Sequence, residues 1–418
     1  MRRLESLVDA VLAAIDASYA LDLACRLVRI PSVFRPDDPQ ANESAVAALV
    51  TAELRRLGLE VHSEDAAPGR PNVIGDWIGR GAGPLLILEG HSDVVTEGDA
   101  GAWSYPPFGA TVADGRLYGR GAADMKGGVA AAIAAVRAIG DAGVSLPGRI
   151  RVAVVADEEG MMLGIKAFIR NGWAQGASGA IICEPEANDV CLVQKGALRA
   201  LARFKGRMAH GAMPRSGINP IPAAAAFVTQ VQALEQRYIG RYGRHPLLGE
   251  PSVTPTVFRA GDPAQLNVIH ADALVALDVR TVPGQEPGEI RHDLAASAAM
   301  AAAEVPGCQG ALEVIEERPW TETPPDAPIV GAVERACRRV QGRPPRHRGV
   351  PGATDGTFLS AWARVPIVTI GPGDVTIPHQ IDEFVRVDDL VEACRIFAAA
   401  ACYALAGGAG PAAAPPDA

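Results

Sequence analysis

Several short polar clusters follow aliphatic runs in this chain. His91 and Asp93 stand just after the run 85–88, Glu158 and Glu159 after 150–156, Glu184 after 180–183, and His379 beyond 367–370. Asp124 lies in GRGAADMKGG, ahead of an expected helix. Two imidazoles (His91, His379) and three carboxylates (Asp124, Glu159, Glu184), with no thiolate, make a borderline-hard donor set. Such a set suits Zn2+, Co2+ or Mn2+ and repels itself when no cation is present. In His91-x-Asp93, residues two apart on a strand face the same way, so Asp93 is placed to hold the second ring nitrogen of His91. Glu158 and Glu159 are neighbours and point to opposite sides. One can bind metal while the other serves as general base for metal-bound water. Taken singly, each cluster is more often a turn, a cap or a solvated pair. Together at successive strand ends they form a candidate metal centre.

Such residues meet only if their strands end on one edge of a sheet, where the functional crevice of an open α/β fold lies. Helices are expected over about 4–29, 41–57, 126–139 and 163–171, alternating with the strands 85–88, 150–156 and 180–183. Short apolar runs between helices indicate an α/β sheet covered on both faces. From about 195 the pattern changes to strand 198–204, helix 221–237, strands 254–258 and 273–279, helix 287–304 and strand 312–315. That order, β-α-β-β-α-β, is ferredoxin-like. After Pro324-Pro325 the first style returns with helix 328–340, strand 367–370 and helix 387–405. The expected fold is an α/β/α catalytic domain with a central, mostly parallel sheet (1–193 and 319–408). An inserted ferredoxin-like α+β domain (194–318) interrupts it, and 409–418 form a disordered tail. The GRGAG at 79–83 is read as a loop, because it lacks the strand–turn–helix setting of a dinucleotide site.

Composition narrows the class. Over 418 residues, 48% hydrophobic and 21% charged is ordinary for a soluble globular protein, and a net charge of -9 disfavours non-specific nucleic-acid binding. The longest apolar stretch, 396–406, is far short of the ~20 residues of a membrane span. Glu5, Asp9 and Asp16 interrupt the N-terminal apolar run at helical spacing, which reads as an amphipathic helix rather than a signal peptide. Seven cysteines without a CxxC pair argue against a disulfide framework or a thiolate zinc site and fit a reducing cytosol. The expectation is a cytoplasmic protein with no nucleic-acid or membrane partner. Only four of the 39 basic residues are lysine (Lys126, Lys166, Lys195, Lys205), each a candidate place where a guanidinium fork would not fit.

The motifs GHSDVV, W-x2-PPF followed by DGRLYGRGAADMKGG, DEEG, EPE, AHGAMPRSGINPI, LDVRTVPG and GPGDVTIPHQIDEFV occur in that order. Over roughly 20–400 the series resembles the acetylornithine deacetylase, succinyl-diaminopimelate desuccinylase and aminoacylase group of dinuclear zinc hydrolases (metallopeptidase family twenty). The resemblance implies two divalent ions per subunit, Zn2+ first, with Co2+ or Mn2+ as alternatives. It implies that His91 and Glu184 bind one ion, Glu159 and His379 the other, and that Asp124 bridges them. Asp93 would orient His91, and Glu158 would be the general acid/base. In the inserted domain, His210 would stabilise the tetrahedral oxyanion, from the same or the neighbouring subunit. Arg280 would grip a substrate carboxylate with Asn267 near the same pocket, and Gly352 and Thr354 would belong to a substrate loop. The inserted domain would serve as lid and as the interface of a homodimer. Met161-Met162-Leu163 depart from the small residues usual in the group after DEEG.

The activity implied is hydrolysis of an amide bond in a small N-acyl amino acid or related amide, with metal-bound water as nucleophile. The alternatives are a carboxypeptidase or dipeptidase on the same scaffold, an aminohydrolase releasing ammonia, and a metal-free binding protein.

Overall fold

In the computed structural model, residues 2–38 and 40–407 are described; the tail expected at 409–418 lies outside them. The chain divides into two compact units. One comprises residues up to Leu192, Thr323–Arg348 and those from Thr354 onward; the other comprises Val193–Glu322 and Gly349–Ala353.

In the first unit the strand Leu85–His91 lies between Arg149–Val155 and Ala177–Ile182 and runs parallel to both. Ile367–Thr369 extends the parallel set beside Ala177–Ile182. On the other flank Arg70–Ile78 pairs antiparallel with Arg149–Val155, and Glu60–Ala67 closes that edge. The middle strands are buried on both faces, which is why their sequences read as unbroken apolar runs. Leu86 and Leu88 pack with Val129 and Ile133 of helix Lys126–Asp141, while Ile87 turns to the opposite layer with Phe168 and Phe358. Helices therefore cover both faces, and the unit is an α/β/α sandwich.

The second unit is a four-stranded antiparallel sheet in the order Ser252–Ala260, Asp272–Thr281, Gly196–Lys205, Gln309–Arg318. Helices Ile221–Tyr242 and Pro287–Ala303 contribute Phe227, Val231, Ile290 and Leu294 to one core with Leu198, Ala202 and Phe204. The chain order is β-α-β-β-α-β, the ferredoxin-like arrangement.

Two local expectations are corrected. The single helix over 4–29 is two, Arg2–Ala13 and Ala17–Val28, because Asp16 turns extended and its carboxylate accepts the Tyr19 N–H at 3.0 Å. N-cap chemistry overrides continuous apolar periodicity here. The hairpin Glu60–Ala67 and Arg70–Ile78 was not expected; its outer strand, EVHSEDAA, is a polar edge with no apolar alternation to betray it. Among the described residues no helix is long and apolar enough to cross a membrane, and all seven cysteines are free.

Candidate metal centre

Three neighbouring parallel strands bring their carboxyl ends to one edge. His91 closes its strand opposite Val155, Glu158 and Glu159 follow that partner strand, and Glu184 follows Ile182 on the other side. The helix Lys126–Asp141 starts just after Asp124 and presses against this edge. A side chain at Gly128 would put its Cβ 1.9 Å from the Cys183 carbonyl oxygen, so only glycine allows the helix so close to the residue before Glu184.

The five donors form a continuous series. Glu184 Oε1 lies 3.9 Å from His91 Nε2, and the same nitrogen lies 3.1 Å from Asp124 Oδ1. The other oxygen of Asp124, Oδ2, is 3.2 Å from His379 Nε2, which in turn is 3.0 Å from Glu159 Oε1. Ligand atoms held ~2.0–2.1 Å from a tetrahedral ion stand roughly 3.3 Å apart, so the spacing fits a divalent cation on each side of Asp124. Among the described residues, His91, Asp124 and Glu159 bring ligand atoms within 4.8 Å of one another.

The electrostatics are those of an anion cluster looking for positive charge. Burial, reinforced by the Asp124 charge, pushes Glu184 well above the usual carboxylate range and raises Glu159 as well. Against the cost of burial, hydrogen bonds with His379 and His91 hold Asp124 well below that range. Hydrogen bonds with Asp124 and Glu159 lift His379 to about 10. Metal binding would replace those protons.

Asp93 acts differently from the sequence-based expectation. The Nδ1 of His91 meets the main-chain oxygen of Asp93 at 2.9 Å, whereas the Asp93 carboxylate stands 3.6 Å away. That carboxylate accepts the N–H groups of Glu158 (3.1 Å) and Glu159 (3.0 Å). The residue thus meets the imidazole through its backbone and fastens the turn of Glu158 and Glu159 through its side chain.

Several residues around the site stand outside the expected ligands and catalytic groups. Asp157, in the left-handed region at φ 69°, accepts the N–H of Met161 (3.0 Å) and Leu163 (3.2 Å) and pairs with buried Arg70, which also forks onto Glu43. Glu89 is wholly buried two residues before His91 and lies against Asp355; burial lifts it to about 8. Lys126 is fully buried, donates to the Ile30 carbonyl at 2.7 Å, and is pushed down by burial to about 7. Its rarity as a lysine was the one sequence signal that marked it. Arg120 and Glu383 back the loop of Asp124.

The remaining expected residues are divided between the two units. His210, Asn267 and Arg280 belong to the second unit. The ladder Ala209–His210 with Val268–Ile269 and the bond from Gly211 N–H to the Asn267 oxygen (2.6 Å) set His210 beside Asn267. His210 is exposed, and its Nδ1 accepts the Ala212 N–H at 3.0 Å, which leaves Nε2 as the proton-bearing nitrogen. Arg280 forks onto Asp278 through Nε (2.6 Å) and Nη2 (3.1 Å). Gly352 falls in the second unit and Thr354 in the first; the Thr354 hydroxyl accepts the Gly356 N–H at 3.2 Å at the start of helix Gly356–Ala363.

Residues 87–402 match the model of peptidase family M20/M25/M40. The chain is 33% identical over 393 residues to succinyl-diaminopimelate desuccinylase of Gluconacetobacter diazotrophicus, covering 91% of this chain and 95% of that one. It is 30% identical over 369 residues to acetylornithine deacetylase of Proteus mirabilis, covering 87% and 91%. Its fold is similar to the M20 family metallo-carboxypeptidase Sso-CP2 from Sulfolobus solfataricus (TM-score 0.77, 18% identity, 92% of this chain and 98% of that one). It is similar too to the dipeptidase Dug1p from Saccharomyces cerevisiae (TM-score 0.76, 16% identity, 96% and 98%).

Proposed function

The chain belongs to peptidase family M20/M25/M40, whose members hydrolyse C–N bonds with metal ions, and on that footing we propose that it is a deacylase of small N-acyl amino acids or related amides. The observation that carries this reading is Asp124 turning one carboxylate oxygen to each of two imidazoles. His91 and Glu184 would hold one divalent ion and His379 and Glu159 the second, with Asp124 shared between them. Zn2+ suits the donors best, and Co2+ or Mn2+ would also fit. When bound, the ions supply Lewis acidity toward water and the amide carbonyl.

The chain's own residues do the rest. Glu158, pinned at its backbone by Asp93, takes the proton of the attacking water on its carboxylate and returns it to the departing amine nitrogen. His210 presents Nε2–H, the form needed to donate to an oxyanion. Arg280 binds a substrate carboxylate from its Nη1 side, since Asp278 occupies the other edge. Asn267 and the loop residues Gly352 and Thr354 are assigned to substrate binding on the family resemblance. The exposed Val257 and Phe258 on the edge strand of the second unit support a homodimer through that unit.

The relatives at 30% identity or more named above are deacylases, which favours N-acyl amino acids over peptides. A panel of N-acetyl, N-succinyl and N-formyl amino acids alongside dipeptides, assayed with Zn2+ and with Co2+, tests this. Turnover of an N-acyl amino acid above every dipeptide is expected. Dipeptides as the better substrates would make the protein a peptidase instead, and ammonia release would make it an aminohydrolase.

A further inference from the structure

Behind the five donors lies a buried ion pair that touches the main chain of both ligand-bearing loops. Glu383 has no exposed surface; its Oε1 accepts the N–H groups of Ala123 (2.9 Å) and Asp124 (3.1 Å). Its Oε2 accepts Arg120 Nη1 at 2.6 Å. Arg120 is itself buried, with its guanidinium 5.2 Å from the Trp103 ring centre, and its Nη2 reaches the main-chain oxygen of His379 at 3.4 Å. A short ladder, Phe384–Arg386 against Arg116–Tyr118, and the bond from Gly119 N–H to the Glu383 oxygen (2.9 Å) hold the two segments side by side.

We propose that Glu383, acting with Arg120, is the positioning residue that sets Asp124 and His379 in register for metal binding. Glu383 fixes the backbone from which Asp124 projects, and Arg120 carries the same constraint to His379. His379 lies at φ 67°, a left-handed conformation that persists in a bulky residue only where its surroundings enforce it. The carboxylate is suited to the task because charge-assisted bonds to two N–H groups and a guanidinium are short and directional. The hydrogen bonds of both residues to Asp124 and His379 are made to main-chain atoms, so they act through backbone placement.

This inference rests on reading His91, Asp124, Glu159, Glu184 and His379 as metal ligands. The test is a Co2+ titration of the metal-free full-length protein, followed by equilibrium dialysis and visible absorption, with near-ultraviolet dichroism as a check on folding. The wild type should bind two Co2+ per chain. Glu383→Ala should bind Co2+ about 10- to 100-fold more weakly, with an altered spectrum. Glu383→Gln keeps an oxygen for the two N–H groups and should recover part of the loss. Arg120→Lys keeps the charge but cannot span Glu383 and His379, so it should weaken one Co2+ site and spare the other. If Glu383→Ala does not fold, Arg120→Lys decides. Folded variants with wild-type Co2+ affinities and spectrum would overturn the proposal while leaving the ligand assignment intact. A wild type that binds no Co2+ would overturn both.

Discussion

The carboxylate of Asp93 accepts the main-chain N–H of Glu158 at 3.1 Å. A residue just beyond the strand that ends in His91 therefore holds the turn that carries the proposed base. His91 and Glu158 come from adjacent strand ends, and this side chain ties the two together beyond the ladder.

Asp93→Ala should consequently harm the turn rather than the imidazole. It leaves the buried N–H of Glu158 without its acceptor, at about 1–3 kcal/mol, and the part-buried N–H of Glu159 with it, while the main-chain oxygen still orients His91. Denaturant midpoints and metal content check this: a lower midpoint and reduced kcat with His91 still able to bind metal are expected. Loss of metal at unchanged stability would restore the simpler role of a carboxylate on the imidazole.

Glu158→Gln should reduce kcat by about 10²–10⁴ with both ions retained, because general acid–base work is worth that much. Elemental analysis beside steady-state kinetics would show it. Unchanged turnover would remove Glu158 from the proton path.

Metal removal should lower the melting temperature, and more so at higher pH. Burial lifts Glu186 to about 7 and Glu89 to about 8, and it raises Glu159 and Glu184 as well. The folded metal-free protein thus holds protons that the unfolded chain releases, starting from an ordinary value of 4.5. Its stability is full below that pH and falls as pH rises toward 8. Each ion at a hundredfold excess over its Kd should return about 2.7 kcal/mol. Calorimetry with and without chelator at pH 6 and pH 8 tests the sign; indifference to chelator would contradict it.

Two glycines of one helix should respond oppositely. At Gly128 an added Cβ meets the Cys183 carbonyl, while at Gly140 it meets nothing within 4 Å. Gly128→Ala should destabilise by about 1–3 kcal/mol or more, and Gly140→Ala should stabilise by about 0.4–1 kcal/mol. Urea denaturation of both variants reads the difference.

The site was legible where chemistry coincides with local pattern. Buried parallel strands leave apolar runs, so the ends at His91, Glu159 and Glu184 stood out, and the second unit's element order was visible in its alternation of strand and helix. The backbone's part was not legible. That the Asp93 main chain, not its carboxylate, meets His91 depends on a turn after the strand. The pairing of Arg120 with Glu383 spans 263 residues and leaves no periodic trace. The polar hairpin 60–78 escaped for a related reason, since an edge strand need not alternate.

On the proposed function, Asp124 is shared by two ions. Anomalous diffraction from Zn2+-loaded crystals tests it most directly. Two peaks are expected, one beside His91 and Glu184 and the other beside His379 and Glu159, with an Asp124 oxygen on each. A single peak, or peaks away from Asp124, would contradict it.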